Sequence, residues 1–434
     1  MLRLAVPVVV AELGWTAMGT VDTLMVGRLS AEAIGAVSLG SAVFLGVSIF
    51  GLGLLLGLDT IISQAFGAGN ASDCYRSLIH GVYAALGLTL PLSAVFFLLV
   101  VLLPGFGINE QVLALTIPYL KPVAASLLPL LLYSATRRFL QATGHVHAVM
   151  GVLLTANLVN ALTNWLLIFG HWGFSAHGVV GAGWATLVSR IYMALALTGC
   201  IIYYDRRGAR ELFETPLWID RSRLRRLLDL GLPSAFHISL EMGLFAVATA
   251  LAGRLDAASL AAHQIALSVA ATTFMVPLGV SSAAAVRVGH AAGRGDAEGV
   301  RRGGWMAILL GVGFMSIAMI VLFTIPHRII SLFTDDASVL RVGVSLLFVA
   351  ALFQLFDGLQ VVTTGVLRGL GETRIPMVVG LFGYWGLGLP TGYVLCFHAG
   401  LGVLGLWVGL AVGLATVGAL LLRVWMGRLS AIAH

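Results

Sequence analysis

Twelve stretches of this 434-residue chain are apolar for long enough to cross a membrane as helices. They cover residues 4–26, 33–66, 77–103, 112–138, 147–170, 178–204, 227–252, 258–290, 303–325, 338–366, 375–398 and 402–425. A hydrocarbon core of ~30 Å takes about 20 residues of helix. Lipid offers no water to an exposed sheet edge, so the runs must satisfy their own backbone as helices. Composition agrees. Hydrophobic residues make up 59% of the chain and charged residues 10%, against roughly 25% charged in a soluble domain. The predicted fold is an all-α integral membrane bundle of twelve transmembrane helices. The first run is too long for a signal peptide's apolar core and carries Glu12 and Asp22, so it is read as a span. Cys74, Cys200 and Cys396 are isolated, with no CxxC and no metal spacing, which excludes a disulfide framework.

The formal net charge of +6 is read as topology rather than as a nucleic-acid footprint. Arg3, Arg76, Arg137, Arg138, Arg206, Arg207, Arg210, Arg221, Arg223, Arg225, Arg226, Arg287, Arg294, Arg301, Arg302, Arg368, Arg374, Arg423 and Arg428 fall on one side when loops are numbered by the runs they join. Only Arg28, Arg254 and Arg328 fall in the opposite loops. The positive-inside bias then predicts a multi-pass protein of the cell's inner (plasma) membrane with both termini cytoplasmic. Its expected surroundings are the lipid bilayer; it needs no nucleic acid and is expected to act as a monomer.

The chain repeats itself. Residues 25–70 align without a gap on 251–296 at an offset of 226, and eleven of the 46 pairs are identical, among them Gly27/Gly253, Arg28/Arg254, Gly53/Gly279 and Gly69/Gly295. Pro7 pairs with Pro233 at the same offset, and Gly144 with Gly371 at 227. Each half holds six runs, an even number, so the halves share one orientation and are expected to be related by a pseudo-two-fold axis along the membrane normal. The predicted organisation is an N-lobe over 1–205, a cytoplasmic linker over 206–226 and a C-lobe over 227–434. The linker, RRGARELFETPLWIDRSRLRR, is charged and amphipathic. It reads either as a tether or as a solvated loop that only sets topology. Two parallel lobes suggest a transporter that rocks about a central site.

Five acids lie inside the runs: Glu12, Asp22, Asp59, Glu241 and Asp357. A carboxylate there is costly enough to be a functional candidate by default. Asp357 is mid-run in FQLFDGLQVVTTG, with Gln354, Gln360 and Thr364 near the same helix face. The bland alternative is a hydrogen-bonded packing stripe. Glu241 has His237 four residues earlier on its face, as a proton partner or relay, or else as a satisfied core histidine. Asp22, near the end of the first run, either pairs with Arg28 at the interface or faces a cavity. Asn157, Asn160 and Asn164 form a polar stripe in the fifth run. Asp59, near the cytoplasmic end of its run, reads as a cap or an ion-pair partner; Glu12 belongs to no motif. Trp15, Phe245, Phe353, Phe356, Tyr384 and Trp385 could offer ring faces to an organic cation or serve as packing. No GxxxxGK[ST], HExxH or GxSxG occurs, which removes ATP hydrolysis by a P-loop and the commonest hydrolytic sites.

The strings VDTLMVGRL (21–29), ISQAFGAGN (62–70) and AAHQIALSVAATTFMVPLGVSSAAAVRVGHAAGRGD (261–296), with LPTGYVL (389–395) and the late acid in FQLFDGLQ, resemble the multidrug and toxic compound extrusion (MATE) family over essentially the whole chain. Within it the closer likeness is to the NorM-like and eukaryotic branch. The resemblance implies a secondary antiporter that exports small organic cations against H⁺ or Na⁺, with no cofactor and no enzymatic step. It maps the seventh-helix acid onto Glu241 and the tenth-helix acid onto Asp357, with Na⁺ at that pair as the one metal to expect. It also places Asp22 in a cation-responsive N-lobe cavity. Two departures stand out: Asn164 replaces an acid found in some members, and Ser268 a glutamate of eukaryotic ones. A lipid-linked precursor flippase of the same superfamily would call for a cationic cavity, whereas the intramembrane charges here are mostly acidic. An integral-membrane enzyme would need a convergent catalytic set, and a receptor would not need acids in both repeats.

Overall fold

A computed structural model of the chain describes residues 1–208 and 211–433, so Arg210 lies outside the described residues. Among these, all regular structure is helical. In order it runs α1 (Leu2–Val26), α2 (Ala31–Leu55), α3 (Gly57–Gly67), α4 (Ala71–Leu102), α5 (Glu110–Ala125), α6 (Leu127–Ala142), α7 (Val146–Phe169) and α8 (Gly178–Arg207). The second half continues with α9 (Arg221–Ala252), α10 (Ala257–Gly293), α11 (Ala297–Thr324), α12 (Pro326–Ser331), α13 (Ala337–Gly369), α14 (Arg374–Gly380), α15 (Leu389–Tyr393) and α16 (Gly402–Ala433). π-helical turns join α14 and α15 into one span, Arg374–His398. Among the described residues eleven helical segments are long and apolar enough to cross a membrane, or twelve with the bent pair α5–α6 counted as one span.

Two runs expected to be continuous are broken. The span 112–138 bends by 43° between α5 and α6. Pro118 and Pro122 have removed backbone donors from the turns before the bend, and at the bend itself Ser126 Oγ donates to the Val123 carbonyl at 2.6 Å. The span 33–66 breaks at Leu56, whose N–H turns back to Gly53 O at 3.1 Å. No proline marks this break. It falls where the backbone of α9 passes closest: a Cβ on Gly57 would lie 3.1 Å from Gly231 N, and one on Gly53 2.7 Å from Ala235 Cα.

The sequence repeat is a structural repeat down to its caps. Ser30 caps α2 through Ala33 N, and Asp256, 226 residues later, caps α10 through Ser259 N. Asn70 and Asp296, again 226 apart, cap α4 and α11. The turns before them need positive φ, which favours glycine, and both have it, at Gly69 (74°) and Gly295 (69°). Gly144 (84°) and Gly371 (87°) repeat the device at an offset of 227.

The compact units are not cut at the linker. One consists of Val10–Ala235; the other joins Met1–Val9 to Phe236–His434. The expected division at 1–205 and 227–434 therefore shifts at both helices that carry a matched proline, α1 (Pro7) and α9 (Pro233). The reason is a pair of close helix crossings. A Cβ on Gly279 of α10 would meet Val9 Cα at 2.8 Å, and one on Gly53 of α2 would meet Ala235 Cα at 2.7 Å. Gly53 and Gly279 are 226 apart, as are Val9 and Ala235, so one contact is made twice. Backbone cannot retreat as a side-chain tip can. Gly279→Ala is expected to destabilise the protein by about 1–3 kcal/mol, whereas Gly87→Ala, with nothing within 4 Å, should not. Thermal unfolding of the detergent-solubilised variants checks the difference; equal melting temperatures would remove the crossing as a constraint.

Candidate functional site

The C-terminal unit gathers its acids between α9 and α13. Along α13 the sequence places Gln354, Asp357, Gln360 and Thr364 on one stripe, and the first three are buried, Asp357 to 4% exposure. Gln360 Nε2 donates to Glu241 Oε1 at 2.9 Å. Asp357 also interacts with Gln360, and the Glu241 and Asp357 carboxylates act on each other and on Tyr384. Among the described residues, neither carboxylate forms an ion pair. Several buried polar atoms here have no hydrogen-bond partner: Asp357 Oδ1, both amide atoms of Gln354, Gln360 Oε1, Thr364 Oγ1 and Tyr384 Oη. Such atoms cost roughly 1–3 kcal/mol each when left unmade. Carboxylate, amide and hydroxyl oxygens are the donor set a hard cation takes, and either carboxylate can instead take a proton. The residues fit a small cation.

His237 does not join this pair. Its ring is hydrogen-bonded to the Pro376 backbone and packs against Gly380, where an added Cβ would lie 2.8 Å from Nδ1. Among the described residues no hydrogen bond links it to Glu241. The shared helix face is real, but the imidazole packs on α14, at the start of the eleventh run, and its buried Nδ1 has no hydrogen-bond partner.

The N-terminal unit builds a different site from the same scaffold. Asn164 Nδ2 donates to Asp22 Oδ1 at 2.5 Å and is itself 3.2 Å from Asn160 Oδ1. Asn160 and Thr186 also reach Asp22. Arg28, the interface partner of the alternative reading, is exposed and forms no ion pair with Asp22 among the described residues. Asn157 is spent elsewhere, donating to Gly14 O and Leu153 O at 2.9 Å and so tying α7 to α1.

The charge that acts on Asp22 is Arg190, a residue the sequence reading passed over. It lies one turn beyond Thr186 on α8, donates to Ser126 Oγ, and its guanidinium stacks 4.2 Å from the Phe44 ring centroid. An arginine deep in the run 178–204 was the available signal. Arg190 adds a positive charge near Asp22, with no ion pair between the two among the described residues.

Two further intramembrane acids are ion-paired. Glu12 forms an ion pair with Arg137, both buried, and Asp59 one with Arg138 at 3.3 Å. Arg137 and Arg138 are thus not loop cations reporting orientation; they sit in α6 opposite acids of α1 and α3.

The aromatic candidates divide. Phe353 is buried, edge-on to Trp407 at 5.4 Å and to Phe245 at 6.1 Å, and so packs as a core residue. Tyr384 is fully buried beside the acids. Trp385 is held by an Nε1–H bond to Leu240 O at 3.1 Å. Phe356 and Phe245 stay half-buried. Trp15 stacks on Tyr133 with centroids 6.0 Å apart. Trp15 lies 226 residues before Glu241 and Tyr133 lies 227 before Gln360. One half thus stacks two rings where the other places a carboxylate and its amide.

Two repeated six-span halves, each burying an acid cluster within the membrane segment, define a multi-span membrane transporter of the internally repeated kind. The chain belongs to the MatE family, whose profile matches residues 7–166 and 233–394. Those two matches begin at the paired prolines, 226 residues apart. The probable multidrug resistance protein NorM of Mesorhizobium japonicum is 39% identical over 434 residues, covering 98% of this chain and 93% of that protein. Its Burkholderia mallei namesake is 38% identical over 429 residues, with 96% and 90% covered. In fold the chain is similar to a eukaryotic MATE transporter (TM-score 0.87, 21% identity, 99% and 97% covered). It is equally similar to a MOP superfamily transporter from Pyrococcus furiosus (TM-score 0.88, 20% identity, 100% and 96% covered).

Proposed function

We propose that this protein exports cationic, amphipathic organic compounds in exchange for H⁺ or Na⁺, with both termini in the cytoplasm. The observation that carries the reading is the uncompensated pair Glu241–Asp357, set among buried oxygens without partners. A cation arriving there supplies the missing coordination and neutralises charge; its departure returns the cost. Such a site has two states of different energy, and a substrate that favours one of them is coupled to the ion through that difference. The relatives' printed name, multidrug resistance protein, agrees with organic compounds as cargo. Dye-cation efflux from proteoliposomes, with a proton gradient and a sodium gradient imposed separately, tests it. One gradient is expected to drive efflux; if neither does, the reading falls.

Asp22 is expected to contribute from the N-terminal side. Asp22→Asn should slow efflux, because it removes the negative charge that Asn164 and Asn160 hold in this cluster, while Arg28→Gln should neither harm transport nor rescue the first variant. Normal efflux by Asp22→Asn would reduce the Asp22–Asn164 bond to a structural one.

A further inference from the structure

The segment between α8 and α9 lies outside the spans, yet Phe213, Leu217, Trp218 and Ile219 in it are 57–71% exposed. The exposure is built in, because the backbone around these residues is fastened at several points. Glu211 and Leu212 N–H donate to Asp205 Oδ1 at 3.0 and 3.1 Å. Tyr83 Oη donates to the Leu217 carbonyl. Asp220 N–H donates to His80 Nε2 at 2.9 Å, and His80 Nδ1–H in turn holds Arg76 O at 2.7 Å. Arg223 closes the segment by pairing with Asp73 and Asp220. Residues 211–220 are therefore tied to the neighbouring helices rather than free in solvent. They form a strap bound to α4 and α8 whose apolar side chains face outward.

Around those side chains stands an excess of positive charge. Arg206, Arg207, Arg221, Arg225 and Arg226 are all exposed, and the Arg76 guanidinium lies 5.9 Å from the Trp218 ring centroid. Glu214 and Asp229 are the exposed acids of the same stretch. An apolar strip of this size in water marks a binding surface. An exposed tryptophan with an arginine at its ring, in a segment whose flanks carry further exposed arginines, matches the interfacial zone of a bilayer. Arginines at that depth each add about 1 kcal/mol of attraction to anionic lipid.

We propose that the 211–220 strap and its flanking arginines form a membrane-surface dock: Phe213, Leu217, Trp218 and Ile219 enter the headgroup zone, and the arginines select anionic phospholipid. This does not depend on what the protein transports. The occupant is the anionic leaflet, not a soluble protein, because the strap emerges directly from two membrane helices and its charge is of the sign the leaflet attracts.

The test uses the full chain in nanodiscs of phosphatidylcholine, with and without phosphatidylglycerol. Trp218→Cys, in a background of Cys74→Ser, Cys200→Ser and Cys396→Ser, carries an environment-sensitive fluorophore. Its emission is expected to shift to the blue and to be quenched by brominated lipid, more so with phosphatidylglycerol. In parallel, without label, phosphatidylglycerol should raise the melting temperature of the wild-type protein more than that of Arg206→Gln/Arg207→Gln/Arg221→Gln/Arg225→Gln. Each arginine removed should lower the preference for anionic lipid about fivefold. A label that stays quenched by aqueous iodide in both lipids, or a stabilisation equal in wild type and variant, overturns the proposal. Shielding that appears only on adding a soluble protein overturns it in favour of a protein partner.

Discussion

Asp357→Asn is expected to leave a folded protein in the membrane and to bring gradient-driven efflux of a dye cation down to the level of empty vesicles. Asparagine keeps the shape of the side chain and an acceptor oxygen, so the packing of α13 is undisturbed. What it loses is the capacity to hold charge. Asp357 is 4% exposed and one of its oxygens has no partner, so its native contacts supply little of what an ionised carboxylate requires. Its neighbour Glu241 already has Gln360 at 2.9 Å. With one acid gone, the site can neutralise one carboxylate but no longer responds as a pair, and the ion's arrival stops being linked to substrate release. Melting temperature should stay at the wild-type value or rise, because two nearby buried acids are unfavourable to each other. Robust efflux by this variant would remove Asp357 from the coupling machinery.

The second large effect concerns stability. Arg137→Met is expected to destabilise the protein by about 3–5 kcal/mol, since it strands Glu12 as a buried carboxylate without its counter-ion. Adding Glu12→Gln to the same chain should recover most of the loss, because an amide can be buried at far lower cost than an unpaired charge. Thermal unfolding of the single and double variants measures both. A single variant as stable as the wild type would mean that Glu12 finds water or another partner. The contrast with Asp357 is the informative part: one intramembrane acid is held by a matched cation and supports the fold, the other has none and is available for chemistry.

That contrast could not be drawn from the sequence. The spans were legible because each is a long apolar run, and the repeat because its caps and glycines recur at a fixed offset. The acids were legible as anomalies in those runs. Their partners were not, since Glu12 and Arg137 are 125 residues apart and nothing local ties them together. Arg190 was overlooked although it is as anomalous in its run as Asp22 is in the first. The bend at Ser126 had a local cause in two prolines, whereas the break at Leu56 has a tertiary one, the passage of α9 beside Gly53 and Gly57. For His237 the helix spacing gave the shared face but not the neighbour the ring packs on. Two residues four apart can share a face and still point to different neighbours, here Pro376 for one and Gln360 for the other.

The doubled crossing of Val9 on Gly279 and Ala235 on Gly53 bears on descent. A half-length ancestor with this repeat would have carried one copy of the first segment and one copy of the glycine that receives it. Because the modern contacts run from each repeat to the other, that ancestor could have filled its own notch only with the segment of a second molecule. The contact is what an exchange of helix ends between two half-length chains, later joined, would leave behind. On this view the 206–226 connection came last, and it had only to bridge two chains that already depended on each other. Two polypeptides divided within that connection and made in one cell should therefore assemble again, while either made alone should lack the surface that completes it.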